Sequence, residues 1–465
     1  MGHMITSEGK MLGIAGVAIV IIVLSSSFAY AYSGEDGWFV DEIDQCGYHT
    51  DHSKTAMTMD ENGQIHVAYR SIRLYPDTGG YGYVTMHATG YGSNWITTII
   101  SGCGEQLQDI AIRITDDGSV HILWCNEAVL GYAVNAGQGW GTETVNIENG
   151  CSARIALDRN GVAHALCVLE DYVPQWVPDV GTIPYYAYEL QEWTCTSGAW
   201  NMTRIHANPE GQQWTSVCTV ASETGEDIRG IVSLTSNGTG STAPMRVRIT
   251  DSGLEYNETS GLTGIPGNAH SRIDSQGRMH VILMASGDPF AIVYIMDDDI
   301  TEATTVHLIY VDNYNLLYIY FYDVASIFLD SNDEPQVAYI TCEMQVMLAH
   351  MVEGEWETEA VGGRDMPKAF CGITMIEDDS EVSHIMFYAL SSPNYTGLIH
   401  MTSDSTEVLK SALVDASLFT GVGTMILGPV AFVIYHVRTK RREQRQNAEA
   451  VGLFDLPRWL GRKKL

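Results

Sequence analysis

The chain has 465 residues, 45% of them apolar, with 45 Gly, 24 Tyr and 9 Cys, and a formal net charge of −32. The length allows about three average domains or one large β domain, and the short alternating runs with little helical periodicity favour the second. An acidic body excludes nucleic acid as a partner, because phosphates need cationic faces.

The charge is unevenly placed. Residues 32–410 carry 15 Lys+Arg and 52 Asp+Glu (15 − 52 = −37), while residues 438–465 carry 9 and 3 (9 − 3 = +6). At the start, residues 11–31 ("MLGIAGVAIVIIVLSSSFAYA") form an apolar run behind Lys10 that ends in the small-x-small pattern Ala29-Tyr30-Ala31. This is the pattern of a secretory signal peptide over 1–31, with an uncleaved anchor as the alternative.

A phrase then recurs along the chain: "MDENGQIHVAYRS", "ITDDGSVHILWC", "LDRNGVAHALCV" and "IDSQGRMHVILM". Its His stands at 66, 121, 164, 280 and 384, and two gaps are close to double the others. Degenerate copies fill them, with Arg229 and Gln336 in the His position. Seven copies at roughly fifty-residue spacing lie in the range of propeller blades. Six or eight are the adjacent counts, because the copy at Arg229 is weak.

A second marker keeps the same phase. Trp38, Trp95, Trp140, Trp200 and Trp356 each open a short alternating run. Each unit therefore reads as four strands: an apolar strand such as "TAMTM", a turn, the His strand, a third strand such as "YVTMHAT" or "LGYAVN", and an outer Trp strand. Such small sheets cannot bury both faces alone and stack radially. The last unit lacks a Trp strand and the first Trp strand lacks a unit. The expected fold is all-β, a seven-bladed β-propeller over 32–410 in which the strand near Trp38 completes the last blade and removes two sheet edges.

All nine cysteines fall in this region, where export permits disulfides; the odd number leaves at least one unpaired within the chain. Cys46, Cys103, Cys151 and Cys371 precede repeat units, which predicts one shared face. Sequons stand at Asn201, Asn237, Asn257 and Asn394 as glycosylation candidates. At the C-terminal side, residues 416–435 contain no charge and are long enough to span a bilayer, and "RTKRREQR" follows. The plan is a transmembrane helix over 411–437, a basic cytoplasmic tail over 438–465 and the propeller outside the cell membrane.

The repeats resemble sialidase-like β-propellers, particularly prokaryotic surface proteins with Asp-x-Asn-Gly-x-x-His-Val-Ala-Tyr repeats, over residues 37–403. The resemblance implies a glycosidase with an arginine triad, a Tyr–Glu pair and an Asp acid. The chain departs from it: it has no Arg-Ile-Pro motif and no Ser-x-Asp-x-Gly-x-Thr-Trp box. Arg70 and Arg73 in "YRSIRLY" are candidates to cradle an anion, against ordinary ion pairing.

No nucleophile elbow or phosphate loop occurs. The periodic His reads as packed within blades rather than metal-bound, since equivalent positions round a ring do not converge on one ion. No metal site and no cofactor are expected; Ca²⁺ at Asp297-Asp298-Asp299 or Glu377-Asp378-Asp379 is the alternative to solvated turns. The notable departures are an insertion, "EDYVPQWVPDVGTIP", between strands two and three of unit three, and "VDNYNLLYIYFYD" before unit six. Tyr172, Trp176, Tyr314, Tyr318 and Tyr320 would form an aromatic platform for a sugar face or an apolar protein patch, with a core role for Tyr318 and Tyr320 as the alternative. The expected work is recognition of a glycan, an envelope component or a partner protein; the alternatives are a sialidase-like hydrolase and a non-catalytic envelope scaffold.

Overall fold

A computed structural model describes residues 32–33, 38–47 and, apart from several connecting stretches, 54–403. The described residues form seven antiparallel sheets. Blade 1 holds β3 (Thr55–Met59), β4 (Ile65–Leu74), β5 (Tyr81–Tyr91) and β6 (Asn94–Gly102). Blade 2 holds β7 (Asp109–Ile114), β8 (Val120–Cys125), β9 (Val129–Asn135) and β10 (Trp140–Asn146). Blade 3 holds β11 (Gly150–Leu157), β12 (Ala163–Val177), β13 (Gly181–Thr196) and β14 (Ala199–His206). Blade 4 holds β15 (Gln212–Ser222), β16 (Ile228–Ser236), β17 (Thr242–Thr250) and β18 (Gly253–Glu258).

Blade 5 holds β19 (Ala269–Ile273), β20 (Met279–Ala285), β21 (Phe290–Met296) and β22 (Thr304–Ile309). Blade 6 holds β23 (Ala325–Leu329), β24 (Pro335–Ile340), β25 (Val346–Val352) and β26 (Glu355–Ala360). Blade 7 joins β27 (Ala369–Glu377), β28 (Ser383–Ser392) and β29 (Tyr395–Thr402) to β2 (Phe39–Gly47), with β1 (Tyr32–Ser33) beyond it. The expected closure is therefore present, running from Phe39 opposite Thr402 to Gly47 opposite Thr396. The innermost strands touch in sequence from β3 through β7, β11, β15, β19 and β23 to β27, which returns to β3. The weak copy at Arg229 is a true blade, with Arg229 on β16 and Gln336 on β24.

Burial follows from stacking. A middle strand is covered on both faces by neighbouring blades, so β8 ("VHILWC") is buried throughout, whereas the outer β10 is mostly exposed. A fully buried large apolar side chain such as Trp124 contributes about 2–3 kcal/mol.

The recurring turn has one construction. The Asp that opens it accepts, through Oδ1, the N–H groups two and four residues on: for Asp158, Asn160 and Val162 at 2.8 Å each. Asp60, Asp274, Asp330 and Asp378 repeat this at 2.7–2.9 Å. The fourth residue is left-handed: Gly63, Gly118, Gly161 and Gly277 at φ 75–79°, Asp333 and Glu381 at 65° and 61°. The other oxygen of the Asp faces the strand-two His, at 3.1 Å for His280 and 3.7–3.9 Å for His66, His164 and His384. Burial pushes the Asp158 carboxyl up, but His164 and the two turn N–H groups outweigh it and hold it below the ordinary range.

On its other side the His meets strand three. His66 Nδ1 lies 3.1 Å from His87, His121 Nδ1 2.7 Å from the Tyr132 hydroxyl, His280 Nδ1 2.7 Å from Tyr294 and His384 Nδ1 3.1 Å from His400. The strand-three ring then receives the outer Trp of the next blade edge-on: Trp140 on His87, Trp356 on Tyr294 and Trp95 on His400, with centroids 5.0–5.4 Å apart. The two sequence markers thus belong to one contact chain that crosses three of the blade boundaries. Burial depresses the His66, His121 and His400 imidazoles, and His87 falls to about 3, so these rings pack uncharged.

Two predictions test this account. A Cβ at Gly161 would sit 2.6 Å from the His121 ring of blade 2, whereas one at Gly63 would meet nothing within 4 Å. Both share the same positive φ, so Gly63→Ala is expected to cost about 1–2 kcal/mol from backbone strain. Gly161→Ala should cost a further 1–3 kcal/mol from the clash, measured by chemical denaturation.

The second concerns the closing strand. Asp41 of β2 is buried at 7% exposure, opposite His400, with Oδ2 lacking a hydrogen bond, and burial raises its pKa from 3.8 to about 6. A raised carboxyl pKa favours the neutral folded form, so its benefit is full below 3.8 and lost as pH rises through 6. Asp41→Asn should therefore raise stability by up to about 3 kcal/mol at pH 7.5 and by nothing near pH 3.5, read as the variant-minus-parent difference in unfolding free energy.

Candidate functional site: the face at the second-to-third-strand hairpins

In a four-stranded meander the hairpins between strands two and three all emerge at one end of the wheel. Two of them overhang their blades. In blade 3, β11 pairs with β12 only from Ala163 to Leu169, and β14 pairs with β13 only from Leu190 to Thr196. Residues 170–177 and 181–188 pair solely with each other, from Glu170 opposite Tyr188 to Val177 opposite Gly181. The insertion expected as a connection is instead a continuous two-stranded ribbon, eight residue pairs long, or about 25 Å. Tyr172 lies opposite Tyr186, Pro174 opposite Pro184 and Trp176 opposite Thr182. The two prolines are tolerated because a ribbon strand leaves one edge unpaired.

Blade 1 has a shorter overhang. β3 stops at Tyr69, so residues 70–74 pair only with β5. Arg70 and Arg73 stand there, at the same end as the ribbon. Arg73 pairs with Asp44 of the closing strand and donates to the Gln45 carbonyl at 2.9 Å; Tyr69 donates to the same Asp44 at 2.6 Å. Arg70 is 1% exposed, its guanidinium lies 4.8 Å over the Tyr83 ring, and its backbone is clasped by the Tyr388 hydroxyl of blade 7. Both arginines fasten blade 1 to blade 7. Of the two readings of these arginines, ion pairing describes Arg73, which holds Asp44.

Tyr314, Tyr318 and Tyr320 lie outside the described residues, as do Asp297-Asp298-Asp299, Asn237 and Asn394. Asn201 on β14 and Asn257 on β18 are exposed on outermost strands, where a glycan meets no blade. Among the described residues no group of His, Cys, Asp and Glu is arranged to hold a metal ion, and no helix is long and apolar enough to cross a membrane. Residues 1–31 and 404–465, with the leader, the apolar run and the basic tail, lie outside the described residues. Cys46, Cys125, Cys167, Cys195, Cys218 and Cys371 are buried free thiols, so the disulfides that export would permit are not formed by these six. Cys46 and Cys371 share the core between blades 7 and 1.

One set of charged residues escaped the sequence reading. Counting back from the first residue of each inner turn, Arg113 and Arg272 stand two places before Thr115 and Asp274. Arg154 stands four before Asp158, and Lys54 and Asp109 stand six before Asp60 and Thr115. Even spacing puts them on one face of the innermost strands. In β3 and β19, buried and half-buried positions largely alternate, with Arg272 among the half-buried ones. Burial and then Arg113 lower the proton affinity of Arg272, against Asp109.

No protein-family model matches the chain, and no curated protein matches it. Solved structures do. A protein of unknown function from Dyadobacter fermentans aligns with a TM-score of 0.43 and 11% identity over 78% of this chain and 98% of its own. The Aleuria aurantia lectin in complex with Fucα1-6GlcNAc aligns at 0.40 and 11% over 69% and 99%. An ulvan lyase of polysaccharide lyase family 25 aligns at 0.41 and 11% over 67% and 79%. At such identities and scores, these likenesses carry no argument about the chemistry of this chain.

Proposed function

We propose that this chain is a cell-surface recognition protein whose propeller binds a glycan, an envelope component or a partner protein through the end of the wheel that bears the blade 3 ribbon. In this reading residues 1–31 direct export, 411–437 anchor the chain and 438–465 stay in the cytoplasm. The ribbon is the observation that supports it. Two-stranded antiparallel ribbons are marginal in water, and this one extends about 25 Å beyond its blade with no third strand on either side among the described residues. Its sequence holds Tyr172, Trp176, Tyr185, Tyr186 and Tyr188. Aromatic residues of this kind supply large contact area with a polar handle. A ligand laid along the ribbon would cover the aromatic area that its sequence supplies.

The test uses the full-length protein in detergent. Binding is measured on glycan arrays and to isolated envelope fractions, for the parent, for Trp176→Ala and for a variant in which residues 171–187 are replaced by Asn-Gly. The expected result is at least tenfold weaker binding in both variants with an unchanged unfolding temperature. Equal binding by all three removes the ribbon from recognition, and turnover of fluorogenic glycosides would replace the binding reading with hydrolysis.

A further inference from the structure

We propose that Asn201, on the outer strand of blade 3, carries an N-linked glycan that runs over the rim of blades 3 and 4 and rests on the ring of Tyr256. The inference rests on the export part of the proposed function, because a sequon receives its glycan in an exported chain. It is independent of the ribbon.

Of the four sequons, Asn201-Met202-Thr203 is the one that the described residues contain in full. All three of its residues are exposed, on a strand, β14, that pairs along one edge only, with β13. Asn201 stands opposite Thr194, which stands opposite His164. Cross-strand partners share a face. That face meets blade 4: Leu166 and Leu190, at even spacing from His164 and Thr194 on the same strands, share a core with Trp214 and Val247. Blade 4 covers it in its own way. In blades 1, 2 and 6 the outer Trp stands opposite the residue after the partner of the strand-two marker: Trp95 opposite Gly90, Trp140 opposite Asn135 and Trp356 opposite Met351. In blade 4 the smaller Leu254 holds that place, opposite Ile249. Two residues further on the same face, Tyr256 is 42% exposed, and the buried Trp214 meets its ring edge-on at 5.7 Å and 88°. A fixed, open aromatic ring therefore stands at the boundary towards which Asn201 is turned.

The local geometry suits the modification. Asn201 Nδ2 donates to the Ala199 carbonyl at 3.3 Å. An N-linked amide keeps one N–H on that nitrogen, so the bond survives the linkage. In the transfer, Nδ2 bonds to the anomeric carbon of an oligosaccharide carried on a lipid phosphate. The bond from that carbon to the phosphate oxygen breaks, the lipid phosphate leaves with the electron pair, and the amide gives up one proton. Arg204 donates to the Thr250 carbonyl at 2.7 Å and so ties β14 to blade 4, which holds the two rims in place beneath the glycan. Tyr256 then offers the sugars an apolar face and a hydroxyl. Its ring is already held by Trp214, so little rotamer freedom is lost on contact. A glycan at this position also bars a foreign strand from the open edge of β14.

The experiment recovers full-length protein from the cells that produce it naturally and, in parallel, from a host without an oligosaccharide transferase. The mass of the peptide containing Asn201 and the unfolding temperature in detergent are recorded for both, and protease cleavage of intact natural cells reports export. In natural protein the Asn201 peptide is expected to be heavier by a glycan. Thr203→Ala, which leaves Asn201 in place, should abolish the added mass. Natural parent should unfold about 1–2 °C above parent from the second host. Tyr256→Ala should keep the added mass and lose that difference. Unmodified Asn201 in a protein whose propeller is cleaved on intact cells overturns the proposal while export stands. Unmodified Asn201 with a protected propeller overturns both. A modified Asn201 that shifts unfolding equally in the parent and in Tyr256→Ala overturns the contact with Tyr256.

Discussion

The wheel depends on one repeated contact chain: a turn aspartate, a strand-two histidine, a strand-three ring and the outer tryptophan of the next blade. Each link answers a different physical demand. The aspartate satisfies N–H groups that a tight hairpin leaves without partners. The histidine gives that aspartate a buried partner and passes a hydrogen bond to the ring beyond it. The ring offers its face or edge to an aromatic neighbour in a geometry favoured by the quadrupole. Burial depresses His66, His87 and His400, so the same residue type serves at Asp60–His66–His87 and at Asp378–His384–His400.

Where a blade departs from the chain, it substitutes polar chemistry. Blade 4 replaces the histidine with Arg229, which binds Asp227 at 2.6 Å beside Arg248. Blade 6 replaces it with Gln336, which reaches across to Glu377 of blade 7 at 3.0 Å. Blade 3 keeps His164, but Glu192 occupies the ring position, two residues before the strand partner of His164, and lies 3.5 Å from His206. Of these three substitutes, Gln336 crosses a blade boundary, whereas those of blades 3 and 4 are satisfied within their own blade.

The blades, their number and their closure were legible because they rest on local signals that repeat: left-handed turn positions, alternation and the phase of His and Trp. What was not legible depends on neighbours distant in sequence. The partner of Arg73 could not be assigned from the sequence, where Asp77 is closer in the chain; Asp44 comes from the closing strand and arrives only when the ring shuts. The ribbon was read as an insertion between strands two and three, and only the register shows it to be paired strand, with Pro174 and Pro184 opposite each other outside the ladder of the blade. The cations of the innermost strands are single residues in strands of otherwise ordinary composition.

The pairing of β2 with β29 has a consequence for how the molecule is made. The residues that seal the ring, Phe39 and Thr402, are separated by nearly the whole propeller. During synthesis, the first strand to emerge must remain without its ladder partner until the final blade has been made. Throughout that interval its apolar residues and open edge invite wrong partners. The last step of assembly is thus a capture across a very long loop, slow by its topology, and it converts an open arc into a wheel all at once.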